Sequence, residues 1–248
     1  MILSLVRPVL SIILTLLLSN YLVNDSGIQS FNANTGTENY ISYIVFSILL
    51  AIFLINSMIG TGFKLYIEIG QGTLENLFLL PISKYSIILY MTLGQVIVNL
   101  FTMVMNLIVV KIVFNIQLEL KHYLNFTYLV LLAIFVVSFL GIIISTLVLK
   151  FKRVQVAFAL ASVLTVISGL SYPIDVLPRF IQYIALINPI AYLMEGIKAL
   201  TFNSTSFISI QYINIITFVF AILLFILSRR AMYKVTNRLY KNGDLSKY

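Results

Sequence analysis

Six long apolar runs, separated by short polar connections, restrict this chain more than any other feature. They cover roughly Leu5–Val23, Tyr40–Phe63, Tyr85–Val110, Tyr123–Leu149, Val154–Ser171 and Ile210–Leu227. A bilayer core about 30 Å thick is crossed by about 20 apolar residues in helical form. Barrel strands would alternate polar and apolar residues over about ten positions, and these runs do not alternate. In hydrocarbon each backbone amide must be satisfied within the segment, which a helix achieves. The sequence therefore predicts an all-α polytopic membrane protein: six transmembrane helices forming a single domain over residues 1–248. Composition agrees, because 60% hydrophobic and 10% charged residues leave too little polar surface for a chain of 248 residues to stay dispersed in water.

Lysine and arginine mark the orientation, since cytoplasmic loops retain positive charge. An even number of spans puts both ends on one side. That side would hold Arg7, Lys64, Lys84, Lys150, Lys152, Arg153, Arg229, Arg230, Lys234, Arg238, Lys241 and Lys247, twelve of the sixteen cations. Lys111, Lys121, Arg179 and Lys198 are left for the other. Both termini are expected in the cytoplasm, at the cell membrane. The first run follows Arg7 but lacks a good cleavage site, Ser19-Asn20-Tyr21 being a poor one, so it is expected to stay as a helix. The net charge of +8 sits at membrane boundaries rather than on a soluble basic face, which points to membrane lipid and away from nucleic acid.

Several chemistries have no residues to carry them. There is no cysteine, and His122 is the only histidine, so neither a thiolate or two-histidine metal site nor a histidine-activated nucleophile is expected. No Gly-x4-Gly-Lys-Ser/Thr loop is present to cradle a nucleotide. The spans carry no carboxylate or histidine in their middles to relay protons. The chain is read as non-catalytic and as binding no cofactor or metal itself, so any active transport draws its energy from an ion gradient or a partner, and the missing proton carriers argue against a proton-driven transporter.

Two connections stand out. In residues 68–81, Gly70 and Gly72 are expected to break the preceding span, Thr73 to Leu80 to form about two helical turns, and Pro81 to stop them. Leu74, Leu77 and Phe78 fall on one face while Thr73, Glu75 and Asn76 lie away from it. Glu68 and Glu75 are scarce acids in a connection edged by Lys64 and Lys84, and are expected to receive basic groups of a cytosolic partner. In residues 173–200, Pro173, Pro178 and Pro189 argue against one full crossing. Asp175 is placed to cap a short helix beginning near Leu177 and Pro178, Asn188-Pro189 ends it so that the piece from Phe180 to Ile187 is too short to cross, and a second helix returns over Ile190 to Leu200 with Glu195 and Lys198 close enough to pair. A shallow hairpin in the outer leaflet would keep that pair away from the bilayer centre.

Within the spans, Thr92, Gln95, Asn99, Thr102 and Asn106 recur at helical spacing and must face protein or water. Ser138, Gly141 and Ser145 are read as their packing partner, and Ser162, Thr165, Ser168 and Gly169 as a second small-residue face. Gln95, Asn99, Thr102, Ser162, Thr165 and Ser168 are the candidates for a substrate path or a dimer seam.

Glu68-x3-Gly72-Thr73-Leu74-Glu75, Pro81-Ile82-Ser83, Ser168-Gly169, Pro173, Leu177-Pro178, Asn188-Pro189, Tyr192 and Glu195, in that order, resemble the ABC transporter permeases of the type-2 export class. The resemblance implies a coupling helix that docks on a separately encoded ATPase, with ATP and Mg held by that partner. It assigns Glu68, Gly72, Thr73, Leu74 and Glu75 to docking, and Pro178, Asn188, Pro189 and Glu195 to an outer re-entrant hairpin. It also implies a second permease, a copy or a relative, around a central path that moves an amphipathic drug, peptide or lipid-like substrate outward. Members usually begin with an interfacial helix; only a few residues precede Leu5 here, so that helix is expected to be very short or missing. The competing readings are a channel or membrane assembly factor without an ATPase, and an intramembrane enzyme.

Overall fold

The computed structural model describes residues 40–114, 122–169, 178–204 and 206–241, and among these the fold is all-α. The helices are α1 (Tyr40–Gln71), α2 (Leu74–Leu79), α3 (Lys84–Phe114), α4 (Tyr123–Phe151), α5 (Gln155–Ile167), α6 (Arg179–Ile187), α7 (Pro189–Phe202) and α8 (Ile210–Lys241). The first predicted span, Pro173 and Asp175 lie outside the described residues.

Among the described residues four helices, α1, α3, α4 and α8, are long and apolar enough to cross a bilayer, and α6 with α7 would make a fifth if taken as one broken span. α5 has 13 residues, about 20 Å, so alone it falls short of the crossing predicted for residues 154–171. Two of the long helices overrun their apolar runs. α1 passes straight through Gly70, contrary to expectation, and ends only at Gly72, whose φ of 70° is open to a residue without Cβ. α8 continues beyond Leu227 as far as Lys241, carrying Arg229, Arg230, Lys234 and Arg238.

The apolar windows of α1 and α4 are each 72% buried, whereas those of α3 and α8 are 17% and 22% buried. α1 and α4 are therefore the interior helices. α3 and α8 present Ile97, Phe101 and Ile108, and Ile215, Phe218 and Ile222, to their surroundings, an outer surface suited to lipid chains.

Among the described residues two compact units are formed, one of 54–99, 132–163 and 218–241, the other of 40–53, 100–114, 122–131, 164–169, 178–204 and 206–217. In the first, Leu65 and Ile69 of α1, Leu74 and Phe78 of α2, Ile88 of α3, Ile142 and Leu149 of α4, and Met232 and Leu239 of α8 share one cluster. In the second, α7 is buried along its whole length. Tyr43 and Phe46 of α1 meet the Phe202 ring at 5.6 and 5.4 Å between centroids. Gly196 permits the closest approach, because a Cβ there would stand 2.8 Å from Leu129 and 2.9 Å from Ile213.

Candidate functional site

The α2 connection begins where Gly72 turns the chain out of α1. The Gly72 amide donates to the Ile69 carbonyl at 3.2 Å and the Thr73 amide to the Glu68 carbonyl at 3.1 Å, which closes the end of α1. Thr73 occupies the N-cap position of α2 without a side-chain cap bond; its hydroxyl instead donates to the Glu68 carboxylate. Glu68 is thus turned back on its own chain, half-buried, while Glu75 and Asn76 are exposed. Of the two acids expected to meet a partner, only Glu75 is openly presented.

Leu74 and Phe78 are the buried residues of α2, with Leu77 packed partly against the same cluster, the face predicted from their spacing. At the other end the Lys84 ammonium donates to the Phe78 carbonyl and, at 3.3 Å, to the Leu80 carbonyl. A cation at a helix C-terminus satisfies orphan carbonyls and complements the dipole. The Tyr240 hydroxyl of α8 also reaches the Phe78 carbonyl, at 3.4 Å. Leu79, Leu80 and Ile82 are left exposed beside the polar edge.

The α6–α7 pair bends by 94° at Asn188 and Pro189, as the two residues predicted. Asn188 does more than stop α6. Its side-chain oxygen accepts the Ile190 amide at 3.1 Å and caps α7, whose first residue is Pro189. Its amide nitrogen donates to the Leu164 carbonyl at 2.6 Å and to the Ser168 hydroxyl at 2.8 Å, binding the pair to the end of α5. Pro178 precedes α6 as its N-cap residue, with no side-chain cap bond. α6 buries only Ala185 and leaves Phe180, Tyr183 and Ile187 exposed.

Protein encloses both Glu195 and Lys198, the residues expected to be close enough to pair, at 6% and 1% exposed. Lys198 donates to the Gly169 carbonyl at 2.8 Å, stands 5.1 Å from the centre of the Tyr43 ring, and lies within the field of the Glu195 carboxylate. A cation in such a setting is held by acceptors and a π face rather than by water. The Gly169 carbonyl and the Tyr43 ring are contacts that sequence spacing alone could not reveal.

The candidate path residues fall into separate groups. Gln95 donates to Asn99 at 3.2 Å, and Asn99 donates to Ser57 of α1 at 3.2 Å. A Cβ on Gly60 would collide with the Gln95 side chain, so that glycine makes room for the amide. Gly141 of α4 packs on Thr92, as expected, where an added Cβ would stand 3.1 Å from the threonine methyl. This stripe joins helices. The Thr102 carbonyl accepts from Asn106 at 2.9 Å. Thr165 of α5 and Ser168 just beyond its end are buried, and Ser162 of α5 is exposed.

Among the described residues no group of acidic, histidine or cysteine side chains could hold a metal ion. The sequence pattern of ABC-2 type transporters matches residues 2–202, a span that includes the α2 connection and ends with α7. No curated protein matches this chain. With its apolar helices and this match, the chain is a multi-pass membrane protein and belongs to the ABC-2 type transporter family, the membrane subunits of ABC transporters.

Proposed function

We propose that this subunit is one half of an ATP-driven exporter, worked from the cytoplasm through α2. Six spans with both termini inside, and the α6–α7 pair as an outer re-entrant hairpin, complete the arrangement. A separate ATPase binds ATP and Mg and docks on Gly72, Thr73, Glu75 and Asn76; a second permease, copy or relative, closes the path. The cargo is amphipathic, a drug, peptide or lipid-like molecule, because the span interiors offer hydroxyls and aliphatic side chains rather than charge. Opening and closing of the ATPase pair would then move the bundles as bodies.

The observation that carries this reading is the build of α2: Leu74 and Phe78 are buried among four long helices, while Glu75 and Asn76 face outward. A short helix gripped so firmly has a free edge that can be pushed. The test uses the absence of cysteine from the chain. Single cysteines at Glu75 and Asn76 should crosslink to the coexpressed ATPase, and one at buried Leu74 should not. No crosslink at any position from Gly72 to Asn76, or labelling of these sites only from outside the cell, would sink the proposal.

A further inference from the structure

A cleft of about 930 Å³ runs between the start of α3 and the basic half of α8. Lys84, Ser86 and Leu89 line it from α3, and Phe225, Arg229 and Arg230 from α8, whose lining continues through Thr236 to Tyr240. Its position follows from the sequence of α8, where the apolar run reaching Leu227 gives way to Ser228-Arg229-Arg230. The cleft is therefore apolar where the span is apolar and cationic where the span ends. That gradient has the polarity of a phospholipid, acyl chain toward Leu89 and Phe225, phosphate toward the arginines.

The charge balance points the same way. No acidic side chain lines the cleft. Lys84 is already engaged by the Phe78 and Leu80 carbonyls, so Arg229 and Arg230, both exposed, carry the open positive charge. Guanidinium is planar and offers paired donors matched to phosphate oxygens. A volume near the upper end of ordinary ligand sites, about 300–1,000 Å³, admits a headgroup with the start of its chains. The walls belong to α3 and α8, the two outer helices, so a ligand enters from the bilayer without passing the interior.

We propose that this cleft is a binding site for an anionic phospholipid, recognised by its phosphate-bearing headgroup at Arg229 and Arg230. A soluble protein partner would match the arginines but not the apolar wall beside them. The proposal leans on the topology above only in assigning the lipid to the cytoplasmic leaflet, and its test needs neither ATPase nor transport.

The test is native mass spectrometry of the full chain in detergent, titrated with phosphatidylglycerol, with phosphatidylcholine, or with inorganic phosphate alone. One phosphatidylglycerol should be retained in preference to phosphatidylcholine. Replacing both residues (Arg229→Gln with Arg230→Gln) should weaken retention by about fivefold for each arginine, on the order of 25-fold together. The control pair Lys234→Gln with Arg238→Gln removes the same charge from α8 outside the cleft lining and should leave retention unchanged. Equal loss in both pairs would mean diffuse attraction and overturn the site. Phosphate competing as well as the lipid would make it a soluble-anion site, and no preference for phosphatidylglycerol in the unaltered chain would remove it altogether.

Discussion

Replacing Phe78 with alanine should free α2 from its seat without unfolding the spans. Phe78 is 2% exposed and, with Leu74, makes up the buried part of a helix of only six residues. Truncating a buried phenylalanine costs about 3–5 kcal/mol. The lower figure applies here, because the site lies at the end of a bundle where neighbours can relax. At about 1.4 kcal/mol per factor of ten, a loss of about 3 kcal/mol raises the undocked fraction of α2 roughly a hundredfold. Met232 of α8 sits in the same cluster at 1% exposed, so Met232→Cys in this cysteine-free chain reports the event through its rate of maleimide labelling. That rate should climb roughly a hundredfold in Phe78→Ala and by about tenfold or less in Phe78→Leu, while a cysteine at exposed Tyr233 labels equally in every background. Labelling of Met232→Cys unaffected by Phe78→Ala would show that the phenylalanine does not hold α2, and the reasoning would fail.

Other substitutions test the remaining elements. Gly72→Ala should destabilise by about 1 kcal/mol or more because φ there is 70°, whereas Gly70→Ala, in open space inside α1, should be neutral or stabilising by up to about 1 kcal/mol; thermal melting in detergent checks the opposite signs. Lys198→Met leaves the Gly169 carbonyl without the buried ammonium that donates to it and should cost about 1–3 kcal/mol, read as a lower melting temperature in detergent; an unchanged melting temperature would contradict that role. Asn188→Ala removes a cap and two donated bonds, an expected loss of about 2–3 kcal/mol, and Asn188→Asp, which keeps only the cap acceptor, should not restore it.

Punctuation in the sequence was the most readable layer. Gly72 and Pro81 bracket α2, and Asn188-Pro189 marks the bend between α6 and α7, because positive φ and a missing amide are local requirements. Apolar length located α1, α3, α4 and α8, and α8 runs on past the end of its apolar run at Leu227. Hydropathy falls once Arg229 is reached, but helical propensity does not, and Ser228, Met232, Val235 and Leu239 continue one face at spacings of three and four. That stripe was present to be read. Other features depend on distant residues. Lys198 donates to the Gly169 carbonyl, twenty-nine positions away, and the Glu68 carboxylate accepts from the Thr73 hydroxyl. Whether a charged residue faces outward is decided by such partners: Glu68 is half-buried against Thr73 while Glu75 is exposed.

The seat of α2 has a mechanical consequence. Its first residue is tied through Thr73 and Glu68 to the end of α1, its last carbonyls are clamped by Lys84 at the start of α3, and Met232, Leu239 and Tyr240 hold it against α8. A load applied to this six-residue helix has no slack loop in which to dissipate. It is shared at once by three long rods, which makes α2 a common footing rather than a lever arm on any one of them.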